Sequence, residues 1–197
     1  MMSLTSTGLG IGTTSPESKL HIEGLAPTII LHDTDTSISN GQSYGAIQWH
    51  TADTSMPGTN DIGAEIKAID TAGYGDRAAI LFSTAEDATA LTERMRIDSS
   101  GKVGIGTASP ASPLNVKSNS SSSSDSGITI TQNGGSNAIF KMGEKSTDGG
   151  RFHMYDGGTE KIAFYTDGTA NHISAGNLGI GTTSPSVKLH INDNDVL

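Results

Sequence analysis

The sequence predicts an all-β chain in which β-prism-like joints, where copies of the chain are expected to meet, alternate with small antiparallel β modules. Three observations predict it. The string LGIGTTSPESKLHI at 9–22 returns as VGIGTASPASPLNV at 103–116 and as LGIGTTSPSVKLHI at 178–191, and such internal repetition marks a chain of similar units. The stretches between the copies alternate apolar and polar residues in short runs bounded by Gly, Asn, Asp and Ser, the pattern of strands and turns. Only 34% of the 197 residues are apolar and 25 are Gly, where a compact chain counts roughly 45–50% apolar with glycine included. A chain of that composition buries too little apolar area alone, so copies are expected to associate.

The elements follow in order. Residues 1–24 form a first joint and a possible attachment segment. Residues 25–100 form a first module with strands at TIILHD (28–33), YGAIQWHT (44–51), DIGAEIKAID (61–70), RAAILFSTA (77–85) and ERMRID (93–98). Asn40-Gly41, Pro57-Gly58, Gly73–Asp76 and Ser99–Gly101 supply its turns. The spacing fits an antiparallel meander or sandwich. Residues 88–95, ATALTERM, are the best candidate for a helix. The second joint covers 101–118, and the serine-rich run at 119–126 reads as a flexible linker. Residues 127–175 form a second module with strands at 127–132, 137–143, 151–156 and 161–167. Asn133-Gly134-Gly135, Asp148-Gly149-Gly150, Asp156-Gly157-Gly158 and Asp167-Gly168 are hairpin-type turns. Residues 176–197 form the third joint.

Within a joint, alternation puts Leu9 and Ile11 on one strand face and Gly10 and Gly12 on the other. Glycine inside a strand is kept where another backbone comes close. Ser15-Pro16 reads as a helix cap followed by proline, giving one helical turn, and Leu20 and Ile22 resume strand spacing. A two-stranded unit is marginal in water. Its apolar residues are therefore expected to meet those of two other chains around a three-fold axis. The packing residues are Leu9, Gly10, Ile11, Leu20 and Ile22; Val103, Gly104, Ile105, Leu114 and Val116; and Leu178, Gly179, Ile180, Leu189 and Ile191.

A net charge of −9 disfavours nucleic acid, which demands a basic footprint, and anionic membrane surfaces. There is no cysteine, hence no disulfide framework. The N-terminus reads as carrying no secretory signal, and no run approaches the ~20 apolar residues of a membrane helix. Gly8-Leu9-Gly10-Ile11-Gly12 lacks the βαβ context of a dinucleotide loop. There is no G-x-S-x-G elbow and no helical pair of zinc histidines. No catalytic residue, cofactor or metal ligand is therefore nominated. Asp33-Thr34-Asp35 and Asn192–Asp195 lack the glycine and distal glutamate of a calcium loop and read as solvated turns. His21 and His190 share a repeat position with Asn115, which calls for a polar group making a surface or inter-chain hydrogen bond. Most aromatic residues fall in strands and read as core. Tyr74, beside Asp76 in an exposed turn, and Trp49, beside His50, are the candidate receptor contacts, since an aromatic ring with a nearby carboxylate suits a sugar.

The three joints, with ERMRIDSSGKVGIGT at 93–107, resemble repeats in bacteriophage tail fibre and receptor-binding fibre proteins. The resemblance covers about a third of the chain. It implies an elongated, intertwined, β-rich homotrimeric fibre of the virion, assembled in the host cytoplasm, that mediates or supports attachment to the host surface without catalysis. The partners implied are two further copies of the chain, other tail, baseplate or fibre proteins, and a host glycan or protein. A head-decorating or tail-stabilising fibre and a bacterial trimeric adhesin are the alternatives. Many such fibres carry a C-terminal chaperone domain. This sequence runs only to Leu197, just past copy three, which reads as a short accessory fibre or one segment of a longer assembly.

Overall fold

A computed structural model describes residues 1–52, 62–86, 91–118, 127–145 and 149–192. The Pro57-Gly58 turn, the 119–126 linker, Asp148, residues 88–90 of the expected helix and Asp193–Asp195 lie outside them. Among the described residues the protein is all-β and no helix forms.

The first sheet holds β1 (Met2–Leu4), β2 (Leu9–Ile11) and β3 (Leu20–Ile22). The second holds six strands in sequence order: β4 (Ser43–His50), β5 (Ile62–Asp70), β6 (Ala78–Thr84), β7 (Thr92–Ile97), β8 (Val103–Ile105) and β9 (Leu114–Val116). The third holds β10 (Ile128–Thr131), β11 (Ala138–Glu144), β12 (Gly150–Asp156), β13 (Thr159–Tyr165) and β14 (His172–Ile173), and the fourth β15 (Leu178–Ile180) and β16 (Leu189–Ile191). Both modules are antiparallel meanders, whereas the two strands of each repeated joint run parallel. The second joint is continuous with the first module, because β7 pairs with β6 on one side and β8 on the other.

Two sequence expectations fail. TIILHD (28–33) forms no strand; its Ile29 and Ile30 are 67% and 80% exposed, and an isolated apolar run has no ladder to join. Residues 92–95 belong to strand β7 rather than to a helix, because partners on both sides satisfy their backbone groups. Strand β1 was also absent from the expected set, since three residues are too few to show a period.

Register shows where the apolar residues go. In the six-stranded sheet Ile47, Ile66, Phe82, Met95, Ile105 and Val116 stand in one row across the strands, with Ala68, Ile80, Ile97, Val103 and Leu114 in the next. In the five-stranded sheet Ile128, Met142, Phe152 and Phe164 form one row, and Ile130, Phe140, Met154, Ile162 and Ile173 the next. These two faces carry no charge at those positions and remain largely open: Ile47 is 56% exposed and Phe164 46%. The opposite faces are polar, yet they hold the buried residues Ala79, Leu81, Ser83, Glu65, Ala163, Arg151 and His153. The substantial contacts between elements run between neighbouring strands of one sheet. Each sheet is thus a single layer with its polar face sealed and its apolar face uncovered, although a sheet's apolar face is stable only against another layer.

Candidate functional site

The repeated joint is one structure built three times. Leu9 pairs with Leu20, Gly10 with His21 and Ile11 with Ile22, and the same register recurs in copies two and three. The bracketing backbone bonds recur as well. Leu9 N–H donates to Lys19 O at 2.8 Å, Val103 to Pro113 at 2.8 Å and Leu178 to Lys188 at 2.8 Å; Glu23, Lys117 and Asn192 return the bond to Ile11, Ile105 and Ile180 at 2.8, 2.9 and 2.8 Å. Parallel strands usually need a crossover of a dozen or more residues; this one takes the eight residues 12–19.

The motif's residues explain how so short a loop closes. Gly12, Gly106 and Gly181 start it with φ of +86°, +70° and +74°, a region open chiefly to glycine. The Thr13, Thr107 and Thr182 hydroxyls accept from the Ser15, Ser109 and Ser184 N–H groups at 3.2, 3.3 and 3.1 Å. This turn replaces the expected helical turn at Ser15-Pro16, and Pro16 and Pro110 are buried in it. The loop then folds over the glycine face. A Cβ on Gly10 or Gly104 would stand 2.5 Å from the carbonyl oxygen of Thr13 or Thr107, and Gly179 meets Thr182 in the same way. The close approach anticipated at these glycines is real, but the approaching backbone is the chain's own.

The shared polar position also acts within the chain. His21 Nδ1 accepts from Glu17 N–H at 3.3 Å, His190 Nδ1 from Ser186 N–H at 3.3 Å and Asn115 Oδ1 from Ala111 N–H at 3.1 Å. The bond is a brace from strand to loop within the chain. An imidazole nitrogen and an amide oxygen serve alike because the position asks only for an acceptor. The other face of each joint stays apolar and open, with Leu20, Leu114 and Leu189 exposed by 52%, 58% and 55%. In the first joint β1 enlarges that face, since Met2 lies beside Ile11 and Leu4 beside Leu9.

The receptor candidates fall in two places. Tyr74 is 83% exposed at the tip of the β5–β6 loop, with exposed Asp76 on the same loop. That loop is braced by Asp70, which is fully buried. Its carboxylate accepts from Ala72 N–H at 2.8 Å, Gly75 N–H at 3.0 Å, Tyr44 Oη at 2.9 Å and from Gly73 N–H. Burial pushes the Asp70 carboxyl up, but the bonds from Gly73, Tyr44, Ala72 and Gly75 outweigh it and hold it below its ordinary value. Trp49 lies on the apolar face instead, opposite Ala64. Six residue steps along β5 separate that point from Asp70, a span of about 20 Å, so Trp49 and Tyr74 do not share a site within the chain.

A polar cluster on the five-stranded sheet had no sequence signal, because its members are scattered over β12–β14. His153 Nδ1 lies 2.8 Å from Tyr155 Oη and 2.9 Å from Glu160 Oε2, Tyr165 Oη donates to Glu160 Oε1 at 3.1 Å, and His172 Nε2 stands 3.5 Å from the same carboxylate. Burial lowers the His153 pKa from its ordinary value, against the pull of Glu160 and with the help of Arg151, Lys141 and Lys145. Burial also raises Tyr165, aided by its bond to Glu160. Arg151 and His153 sit below the surface of this face, while His172 at its edge is exposed. On the first module Glu65 has the equivalent role. Burial pushes its carboxyl up, but Lys67 Nζ at 2.5 Å and Gln48 Nε2 at 3.1 Å hold it below its ordinary value. Among the described residues no three His, Asp or Glu gather as metal ligands.

No protein-family model matches the chain, and no curated protein does.

Proposed function

We propose that the chain is a non-catalytic fibre protein of a bacteriophage virion, from the tail or baseplate, and that it works as an elongated, intertwined homotrimer with prism-like joints. The observation that carries the reading is the exposed apolar surface. The chain exposes 13526 Å², where a compact monomer of 20.3 kDa exposes about 8,800 Å². The excess of about 4,700 Å² is of the order that obligate interfaces bury, roughly 2,000–5,000 Å². Among the described residues the buried aliphatic and aromatic side chains are Ala79, Leu81 and Ala163, so on this reading the core comes from other copies. Uncharged faces let chains of net charge −9 meet without opposing charges in the seam.

Three chains closed on their apolar faces turn the sealed polar faces outward and repeat the Tyr74–Asp76 loop three times. Weak contacts of that loop with a host glycan or protein then add through effective concentration. The terminal joints couple the fibre to neighbouring tail, baseplate or fibre proteins. Sedimentation and adsorption test this together. The purified protein is expected to sediment as a trimer and to bind host cells at micromolar concentration, with Tyr74→Ala weakening binding without lowering the melting temperature. A 20 kDa species at working concentration removes the fibre reading. A trimer that adsorbs to no host cell leaves a scaffold fibre, head-decorating or tail-stabilising.

A further inference from the structure

The three joints differ in one respect. In the first two, a third strand lies antiparallel against the Gly-Ile strand: Met2, Ser3 and Leu4 oppose Ile11, Gly10 and Leu9, and Met95, Arg96 and Ile97 oppose Ile105, Gly104 and Val103. In both, the positive-φ glycine completes the ladder, Gly12 N–H donating to Met1 O at 2.8 Å and Gly106 N–H to Arg94 O at 2.9 Å. The third joint has only β15 and β16 among the described residues. Leu178 N–H and Ile180 C=O are already used toward the β16 side. Alternation therefore aims the N–H and C=O of Gly179, and the N–H of Gly181, at the open edge. Gly10 and Gly104 are buried at this position and Gly179 is not.

The chain's own upstream segment is committed elsewhere. Ile173 precedes Leu178 by five residues, as Leu4 precedes Leu9, so β14 holds the place of β1 in sequence. It pairs with β13 instead. Asn171, in the place of Met2, accepts the Tyr165 N–H on its Oδ1 at 2.5 Å, and Ser174 donates its N–H and hydroxyl to Lys161 O at 2.7 and 3.1 Å. The apolar residue that would face Ile180 is thus replaced by an amide tied to another sheet.

We propose that the open edge of β15 is a strand-acceptor site, filled by an extended Met-x-Leu/Ile segment of a partner polypeptide running antiparallel to it. The backbone of the middle residue bonds Gly179, and the flanking side chains extend the apolar face over Ile180 and Leu178. This is recognition by strand addition, with the main chain supplying affinity and alternate side chains the selectivity. It stands on the comparison of the three joints and does not require the trimer.

Hydrogen exchange on the full chain tests it, with the peptide TERMRIDSSG, the chain's own residues 92–101, as the probe. The Gly179 and Gly181 amides are expected to exchange at least about tenfold faster than those of Gly10, Gly12, Gly104 and Gly106, as unpaired edge groups do. Millimolar peptide is expected to slow them. The peptide carrying Arg96→Pro, which removes a ladder donor, is expected to leave them fast. The proposal is overturned if Gly179 and Gly181 are already as protected as their counterparts in the protein alone, because no free acceptor edge then exists. It is equally overturned if the peptide gives no protection. Neither result changes the sedimenting mass, so failure here is separate from failure of the fibre reading.

Discussion

The joints and the modules solve the same problem by different means. Both are single-layered, with one polar face sealed and one apolar face open. A joint seals its polar face with backbone: an eight-residue loop lies on a glycine, a threonine turn holds it, and one acceptor braces it. Backbone-on-backbone packing tolerates almost no side-chain variation, which is why three copies within one chain read nearly alike. A module seals its face with side chains, Glu65 with Lys67 and Gln48 in one case and His153 with Glu160 and two tyrosines in the other. Side-chain networks can be written in many ways, so the modules share a plan and no recognisable sequence. Repetition in this protein thus records an intrachain constraint, and the open apolar faces are where the proposed association would form.

The comparison breaks most visibly at the apolar faces. Ile47→Asp combined with Phe152→Asp places a charge on each module's open face. It is expected to abolish association outright, read as loss of the trimer in sedimentation, with the strand content of circular dichroism largely retained. If the trimer persists, the faces are not the seams.

The next effect tests the joint. Gly104→Val forces a branched side chain into the carbonyl of Thr107 and is expected to cost about 2–3 kcal/mol in denaturant unfolding. The same change at Gly24, which has open space around it and no positive φ, is expected to stay within about 0.5 kcal/mol of the wild type. Equal losses at the two sites would deny the intrachain seal.

Acid separates the two kinds of seal. The folded His153 pKa lies below its ordinary 6.5, so the unfolded chain binds the extra proton first. Stability from this group is present above pH 6.5 and falls as the pH drops below it, by at most ~1.4 kcal/mol per unit for one proton. The carboxyl of Asp70 behaves alike lower down: its contribution is full above the ordinary 3.8 and is lost as pH falls through its lowered folded value. Melting curves from pH 8 to 5 are expected to decline for the wild type and to flatten in His153→Gln. A pH-independent wild type would remove His153 from the seal of the second module.

The smallest effect sharpens the joint further. His21→Asn copies the second joint and is expected to be neutral within about 0.5 kcal/mol, whereas His21→Leu loses one hydrogen bond, about 1 kcal/mol. A large loss in His21→Asn would show that the imidazole does more than accept.

Much of this was legible in the chain. Eight of the nine module strands expected from alternation form within two residues of their expected ends, because period two survives wherever a strand has a neighbour to ladder with. The failures are equally physical. Residues 28–33 carry the pattern without a ladder to enter, and residues 92–95 carry good helix formers that two neighbouring strands overrule. The repeated glycines announced a tight contact but could not say with what. The His153 cluster left no trace in spacing, since strand pairing alone gathers residues from three strands.

What the amino-acid string determined by itself is the unit: where strands start and stop, which side chains share a face, and how little of the chain is apolar. Those properties follow from local backbone geometry and composition. Only the tertiary structure decided that the glycines serve the chain's own loop, that the polar faces are the sealed ones, and that the third joint has no third strand among the described residues. Each of these depends on which distant backbone arrives beside a residue, and that is set by pairing across the sheet and not by neighbours along the chain.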